Sequence, residues 1–237
     1  MVNRTFESSP RILARVAALT YLAVIVAGII AEMFISARII VPGDAAATAA
    51  QIGANSPLYQ LGLSVYLVEM LFQVAMSVPF YFLFRPVSKS AALLMVFFNL
   101  IGCAIKIGSR VFYIAPLFVL ADANLASAFS TDQIQTLALI LLRVNEQAAG
   151  ISLVFFGAST IAKGYLIIRS KFLPRILGIL SVIAGLGWLT FMFPPLASAL
   201  FLYILALGII GSLSQIAWLL VKAVNVEQWK RFAVDAA

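Results

Sequence analysis

The chain contains no histidine. That removes imidazole proton relays, His-ligated haem, zinc and copper, and Ser-His-Asp chemistry. It contains one cysteine, Cys103, so no intramolecular disulfide can form. Charge is scarce too: 11% of the 237 residues are Asp, Glu, Lys or Arg. A typical soluble domain carries about 25%. The nine acidic residues are scattered, which argues against a metal site and implies no cofactor. Apolar side chains are abundant instead, at 63% of residues with a mean hydropathy of +1.08. No water-soluble fold of this length hides so much apolar surface. Disorder, a disulfide scaffold, a coiled coil and a nucleic-acid module are excluded together, and a polytopic membrane protein remains.

A membrane-spanning helix needs about 20 mostly apolar residues. Six segments qualify, at about 12–35, 57–84, 91–119, 146–168, 174–193 and 197–221. The expectation is all-α: a polytopic transmembrane bundle of six helices, a single domain over residues 1–237. Arg4, Arg11 and Arg15 precede the first segment, whose apolar run is too long for a signal peptide, so it reads as an uncleaved anchor. Ser56 is expected to cap the second with Pro57 at its first helical position. The fifth stops at Pro194-Pro195, which cannot continue a helix. No inverted repeat relates residues 1–118 to 119–237, which weighs against a repeat-built transporter.

Eleven bases fall on one side of such a bundle: Arg4, Arg11, Arg15, Arg85, Lys89, Arg169, Lys171, Arg175, Lys222, Lys230 and Arg231. The opposite loops hold only Arg38. By the positive-inside rule both termini are cytoplasmic. Tyr59, Tyr113, Trp188 and Tyr203 near the outer ends, and Tyr81, Tyr165, Trp218 and Trp229 near the inner ends, fit two aromatic belts.

The outer loops carry helical signals. Asp44 can cap a short alanine-rich helix, DAAATAAQI, and Ser130 with Gln133 matches a capping box. Helical character continues from Thr131 to Ile168, 38 residues, or about 57 Å. The apolar slab is only about 30 Å thick. Residues 131–145 are therefore expected as an outer helix that protrudes, lies along the membrane, or packs on another protein.

Ionisable residues inside spans are functional-site candidates by default. Glu32, Glu69, Lys106, Arg110, Arg143 and Glu146 all fall in the outer half of the predicted topology, three of each sign. Helical phasing places Asn99, Cys103, Lys106, Arg110 and Tyr113 on one face of the third span. It places Gly62, Tyr66, Glu69, Gln73 and Ser77 on one face of the second. Gly150, Gly157 and Gly164 recur every seven residues in the fourth, a stripe that admits a neighbouring backbone. Two readings of the six charges stand: an ion-pair network that fixes helix packing, or a ligand site, with Glu69 and Lys106 deepest. Glu32 and Arg143 read as snorkelling toward the interface. Asn145, Glu146 and Gln147 read as the rim of a pocket or a wet helix end. Lys163 reads as snorkelling, with an amine that binds a phosphate head as the alternative. Cys103 reads as a small core residue, and GILSVIAGLGW as helix packing rather than a phosphate loop.

The run LVFFGASTIAKGYLIIRSKFLPRILGILSVIAGLGWL, from Leu153 to Leu189, resembles a family of bacterial integral membrane proteins described as a domain of unknown function, DUF4386. AGIIAEMFISARIIVPGDAAATAAQI from Ala27, RPVSKSAALL from Arg85 and AWLLVKAVNVEQW from Ala217 support the likeness, which spans about residues 12–229. The resemblance implies a six- or seven-helix inner-membrane protein with no established activity. It also implies a histidine after FFG and a Gly-Glu pair in the last helix. This chain has Ala158-Ser159 and Gly211-Ser212 there, which shifts weight toward a structural or subunit role. The expected function is therefore non-catalytic, an accessory subunit of a membrane complex. The alternative is a small transporter or a binder of lipid or small molecules, using the outer-half charges. Expected partners are membrane lipids, other membrane proteins or a second copy of the chain, and no nucleic acid. An intramembrane enzyme would have only a Glu base and a Lys amine to work with.

Overall fold

The computed structural model describes residues 9–235; Arg4 lies outside them. Among the described residues every regular element is helical. Helix α1 (Pro10–Ile29) runs into a π-helical stretch, Ile30–Ser36, and a last turn, Ala37–Ile39. Gly43 follows Pro42 with φ +80°, a conformation that a side chain disfavours. Asp44 then caps α2 (Ala45–Ala54), its carboxylate accepting the Ala47 N–H at 2.9 Å. Helices α3 (Ser56–Phe84), α4 (Lys89–Ala121) and the short α5 (Ala123–Ala128) follow. The capping box at α6 (Thr131–Ser170) forms: Ser130 N–H donates to Gln133 at 2.9 Å, and Gln133 N–H donates to the Ser130 hydroxyl at 3.3 Å. Helix α7 (Arg175–Leu189) ends in a 3₁₀ turn, Thr190–Met192, and α8 (Pro194–Val221) starts on a proline. Helix α9 (Val226–Asp235) closes the chain.

Six helices are long and apolar enough to cross a membrane: Pro10–Ile39, Ser56–Phe84, Lys89–Ala121, Thr131–Ser170, Arg175–Met192 and Pro194–Val221. The chain is a multi-pass membrane protein. Residues 131–145 are the first part of the 40-residue α6, as the continuous helical character from Thr131 to Ile168 implied, and do not form a separate outer helix. Neither proline nor glycine occurs between Thr131 and Ala149, so nothing interrupts the backbone ladder. Helix α3 includes Ser56 itself, and the carbonyl of Asn55 accepts its first intrahelical bond, from Tyr59 N–H at 3.0 Å. The π-helical stretch and α9 carry no sequence signal used above.

The chain divides into two compact units. One contains the residues up to Ala23, Phe72–Cys103, and those from Ile151 onward. Its central seam joins α6 and α7 through glycines. A Cβ on Gly157 would lie 2.8 Å from the Gly185 carbonyl oxygen, and one on Gly164 2.7 Å from that of Gly178. Only glycine permits this approach, as the heptad stripe implied. Trp229 on α9 donates its indole N–H to the Leu83 carbonyl at 2.9 Å, and the Tyr21 and Ser212 hydroxyls share a hydrogen bond of 2.6 Å.

The other unit contains Val24–Leu71 and Ala104–Gly150. Its core gathers Ala31, Ile35, Ile39, Ile52, Tyr59, Tyr66, Tyr113 and Leu142. The Tyr59 and Tyr113 rings stack with centroids 4.5 Å apart, and Tyr66 meets Tyr113 edge-on at 5.3 Å. Each such pair is worth about 0.5–1.5 kcal/mol beyond its buried area. The Tyr59 hydroxyl donates to the Tyr113 carbonyl. Gly62 leaves the space that Tyr113 occupies, since a Cβ there would sit 2.6 Å from the Tyr113 hydroxyl oxygen.

Candidate functional site

The two polar stripes of α3 and α4 face each other in rungs. Glu69 meets Lys106 in an ion pair of 2.7 Å. Gln73 donates to Asn99 at 2.7 Å, and Asn99 donates to the Ser77 hydroxyl at 2.9 Å and the Gln73 carbonyl at 3.1 Å. Tyr66 lies under Arg110, whose guanidinium carbon is 3.7 Å from the ring centroid. The 3.6-residue period puts each set on one face of its helix, because residues three and four apart return to the same side.

The six candidate charges separate into two sets. Glu69 and Lys106 are the only ion pair among the six, made through Oε1, while Oε2 of Glu69 is buried without a partner. A three-by-three ion-pair network is therefore not what the chain builds. The other four, Glu32, Arg110, Arg143 and Glu146, line one cavity of about 410 Å³ in the second unit, with Ser36, Tyr66, Tyr113 and Asn145 among its walls. That volume is within the range of small-molecule sites. Glu32, Arg143 and Glu146 are exposed, as rim residues would be.

Arg110 is different, being only 3% exposed. Its Nη1 donates to the Asn145 side-chain oxygen at 3.2 Å. Its Nε and Nη2 are buried and have no protein partner. These two nitrogens form one edge of the guanidinium plane, the edge that grips a carboxylate or phosphate through two parallel hydrogen bonds. Tyr66 supports the face of the same plane, and Ser36 fixes Tyr66 through a hydroxyl contact of 3.0 Å. The π-helical stretch contributes Glu32 and Ser36 to the cavity, and such widened turns recur at functional sites. A buried cation without a carboxylate partner is costly, by several kcal/mol after relaxation. Cation–π contact with Tyr66 returns about 2 kcal/mol or more when desolvated, part of that cost. The arrangement is therefore open to an anion on the guanidinium edge, with Glu32 and Glu146 able to accept hydrogen bonds from the rest of the same molecule.

Sequence reasoning favoured Glu69 and Lys106 because they lie deepest, but each is the other's partner and neither lines the cavity. Asn145, read as a rim residue, instead orients the buried arginine. Ser36, Pro42 and Gly43 also line the cavity, and only the π-helical turn and the Gly43 bend explain how they arrive there. Snorkelling of Lys163 is overturned: the side chain is 6% exposed, with its ammonium over the Tyr21 and Phe80 rings at 4.5 and 5.3 Å.

Comparison with known proteins matches residues 16–223 to a family described as Domain of unknown function (DUF4386), and the chain belongs to that family. No curated protein and no solved structure matches it.

Proposed function

We propose that this member of the DUF4386 family is a non-catalytic inner-membrane protein of bacteria that binds a small carboxylate- or phosphate-bearing molecule at Arg110, as a binder or small transporter. One observation carries the reading: Arg110, which lines a cavity of about 410 Å³, is buried and keeps two N–H groups without a protein partner. The four charges of the wall sum to zero, so the ligand that suits them pairs its anionic group with donors for Glu32 and Glu146. In this reading both termini are cytoplasmic, from the eleven bases, and the cavity opens toward the outer side or outer leaflet. Exposed apolar side chains on the spans, such as Leu71, Val111 and Phe118, suit contact with lipid. An accessory-subunit role draws on exposed Leu137, Ile140 and Val144 of α6, but lipid serves those positions equally well.

The test is a thermal-shift screen of small carboxylates and phosphates against the purified protein. Hits stabilise the wild type and lose their effect in Arg110→Lys, which keeps the charge but lacks the planar fork. Charge-assisted hydrogen bonds contribute about 1.5–3 kcal/mol each, so loss of one weakens binding about 10–100-fold. Equal stabilisation of wild type and Arg110→Lys by every hit would sink the proposal.

A further inference from the structure

Lys163 poses a separate problem of charge balance. It is 6% exposed, and its ammonium rests on two aromatic faces. Among the described residues it has no carboxylate within ion-pair distance, whereas Lys106 does. The reason lies in the sequence of its spans: residues 9–23, 72–103 and 151–221 contain no aspartate or glutamate, and the unit's described acids, Glu227 and Asp235, sit on α9 beyond the last span. Two ring faces contribute about 2 kcal/mol or more each when desolvated, which offsets part of the penalty of several kcal/mol for an ion held away from water.

Lys163 shares a cavity of about 50 Å³ with Gln73, Asn99, Ser159 and Thr160. The polar groups around it are largely committed elsewhere. Asn99 donates to Ser77 and to the Gln73 backbone and accepts from the Gln73 side chain. Ser159 donates its hydroxyl proton to the Met95 carbonyl at 2.7 Å. No wall group carries negative charge. At about 10–15 Å³ of such space per water, the cavity has room for a small anion with a few waters.

We infer that Lys163 and this cavity form a halide site, in which a chloride-sized anion supplies the counter-charge that the spans around it lack. The site is independent of the Arg110 cavity, which lies in the other unit and takes a larger, polyatomic group. Bound halide holds α6, which carries Lys163, Thr160 and Ser159, in register with the Gln73–Asn99 pair of α3 and α4. Its role is to stabilise this packing.

The experiment is thermal unfolding of the purified full chain in sodium chloride, sodium bromide and sodium gluconate at fixed ionic strength. The wild type gains about 5 °C, saturably, in chloride and in bromide but not in gluconate. Lys163→Met unfolds at one temperature in all three salts. Thr160→Glu places a carboxylate three residues before the lysine on the same helical face, so it replaces the anion from within. That variant unfolds in gluconate no lower than the wild type in chloride, and it ignores halide. A wild type without a saturable halide response overturns the inference, as does a response retained in Lys163→Met. If Lys163→Met does not fold, a full halide response in Thr160→Glu overturns it as well.

Discussion

The ion pair between Glu69 and Lys106 offers the sharpest separation of packing from ligand binding. Its 2.7 Å contact is shielded, with the lysine side chain 15% exposed and the glutamate 7%. Glu69→Gln leaves the ammonium without its carboxylate. Removing one partner of a buried pair costs about 3–5 kcal/mol. Lys106 retains enough exposure to reach water, so the lower figure, about 3 kcal/mol, applies. For a chain of this length that is a fall of about 6–12 °C in melting temperature. Lys106→Gln is at least as damaging, because Glu69 already has one buried oxygen without a partner and would then have two. The double variant Glu69→Gln/Lys106→Gln sets two neutral amides side by side and carries no orphaned charge. It is expected to be no less stable than either single variant, a coupling of about 3 kcal/mol. Thermal unfolding of the four proteins in one detergent reads this directly. Neither residue lines the Arg110 cavity, so the double variant also keeps the anion response of the wild type. Additive destabilisation would refute the reasoning, since it would mean that the two charges act independently.

Three further outcomes follow from the packing. Gly164→Ala forces a methyl to 2.7 Å from the Gly178 carbonyl oxygen, a backbone atom that cannot turn aside. Overpacking of this kind costs about 1–3 kcal/mol, read as a lowered melting temperature. Gly53→Ala on α2 meets nothing within 4 Å, so the same measurement should show no loss and a gain of up to about 1 kcal/mol from helix propensity. Asn99→Leu strands the Gln73 amide and the Ser77 hydroxyl, costing about 1–3 kcal/mol in the same assay.

Much of this was legible in the chain because membrane helices announce themselves through length and hydropathy alone. Phasing set the polar residues of α3 and of α4 on one face each, and Gly157 and Gly164 marked a close-packing face of α6. Phasing gives the face a residue occupies, not which residue across the gap it meets. That is why Glu69, Lys106 and Arg110 looked like one cluster, although Arg110 answers to Asn145 and Tyr66 instead. The widened turn at Ile30–Ser36 contains no proline or glycine and follows from tertiary packing, so its effect on Glu32 and Ser36 was invisible in the sequence. Lys163 misled for a related reason: a long amphipathic side chain near a helix end ordinarily reaches water, and only the rings of Tyr21 and Phe80 show that it does not.

The central claim is that the free edge of the Arg110 guanidinium holds an anion. A high-resolution density map of the protein purified from its native membrane, with no ligand added, tests it most directly. The account predicts a discrete carboxylate- or phosphate-shaped feature within about 3 Å of both Nε and Nη2. A cavity filled by water or a lipid tail, with those two nitrogens bonded to nothing charged, would contradict it.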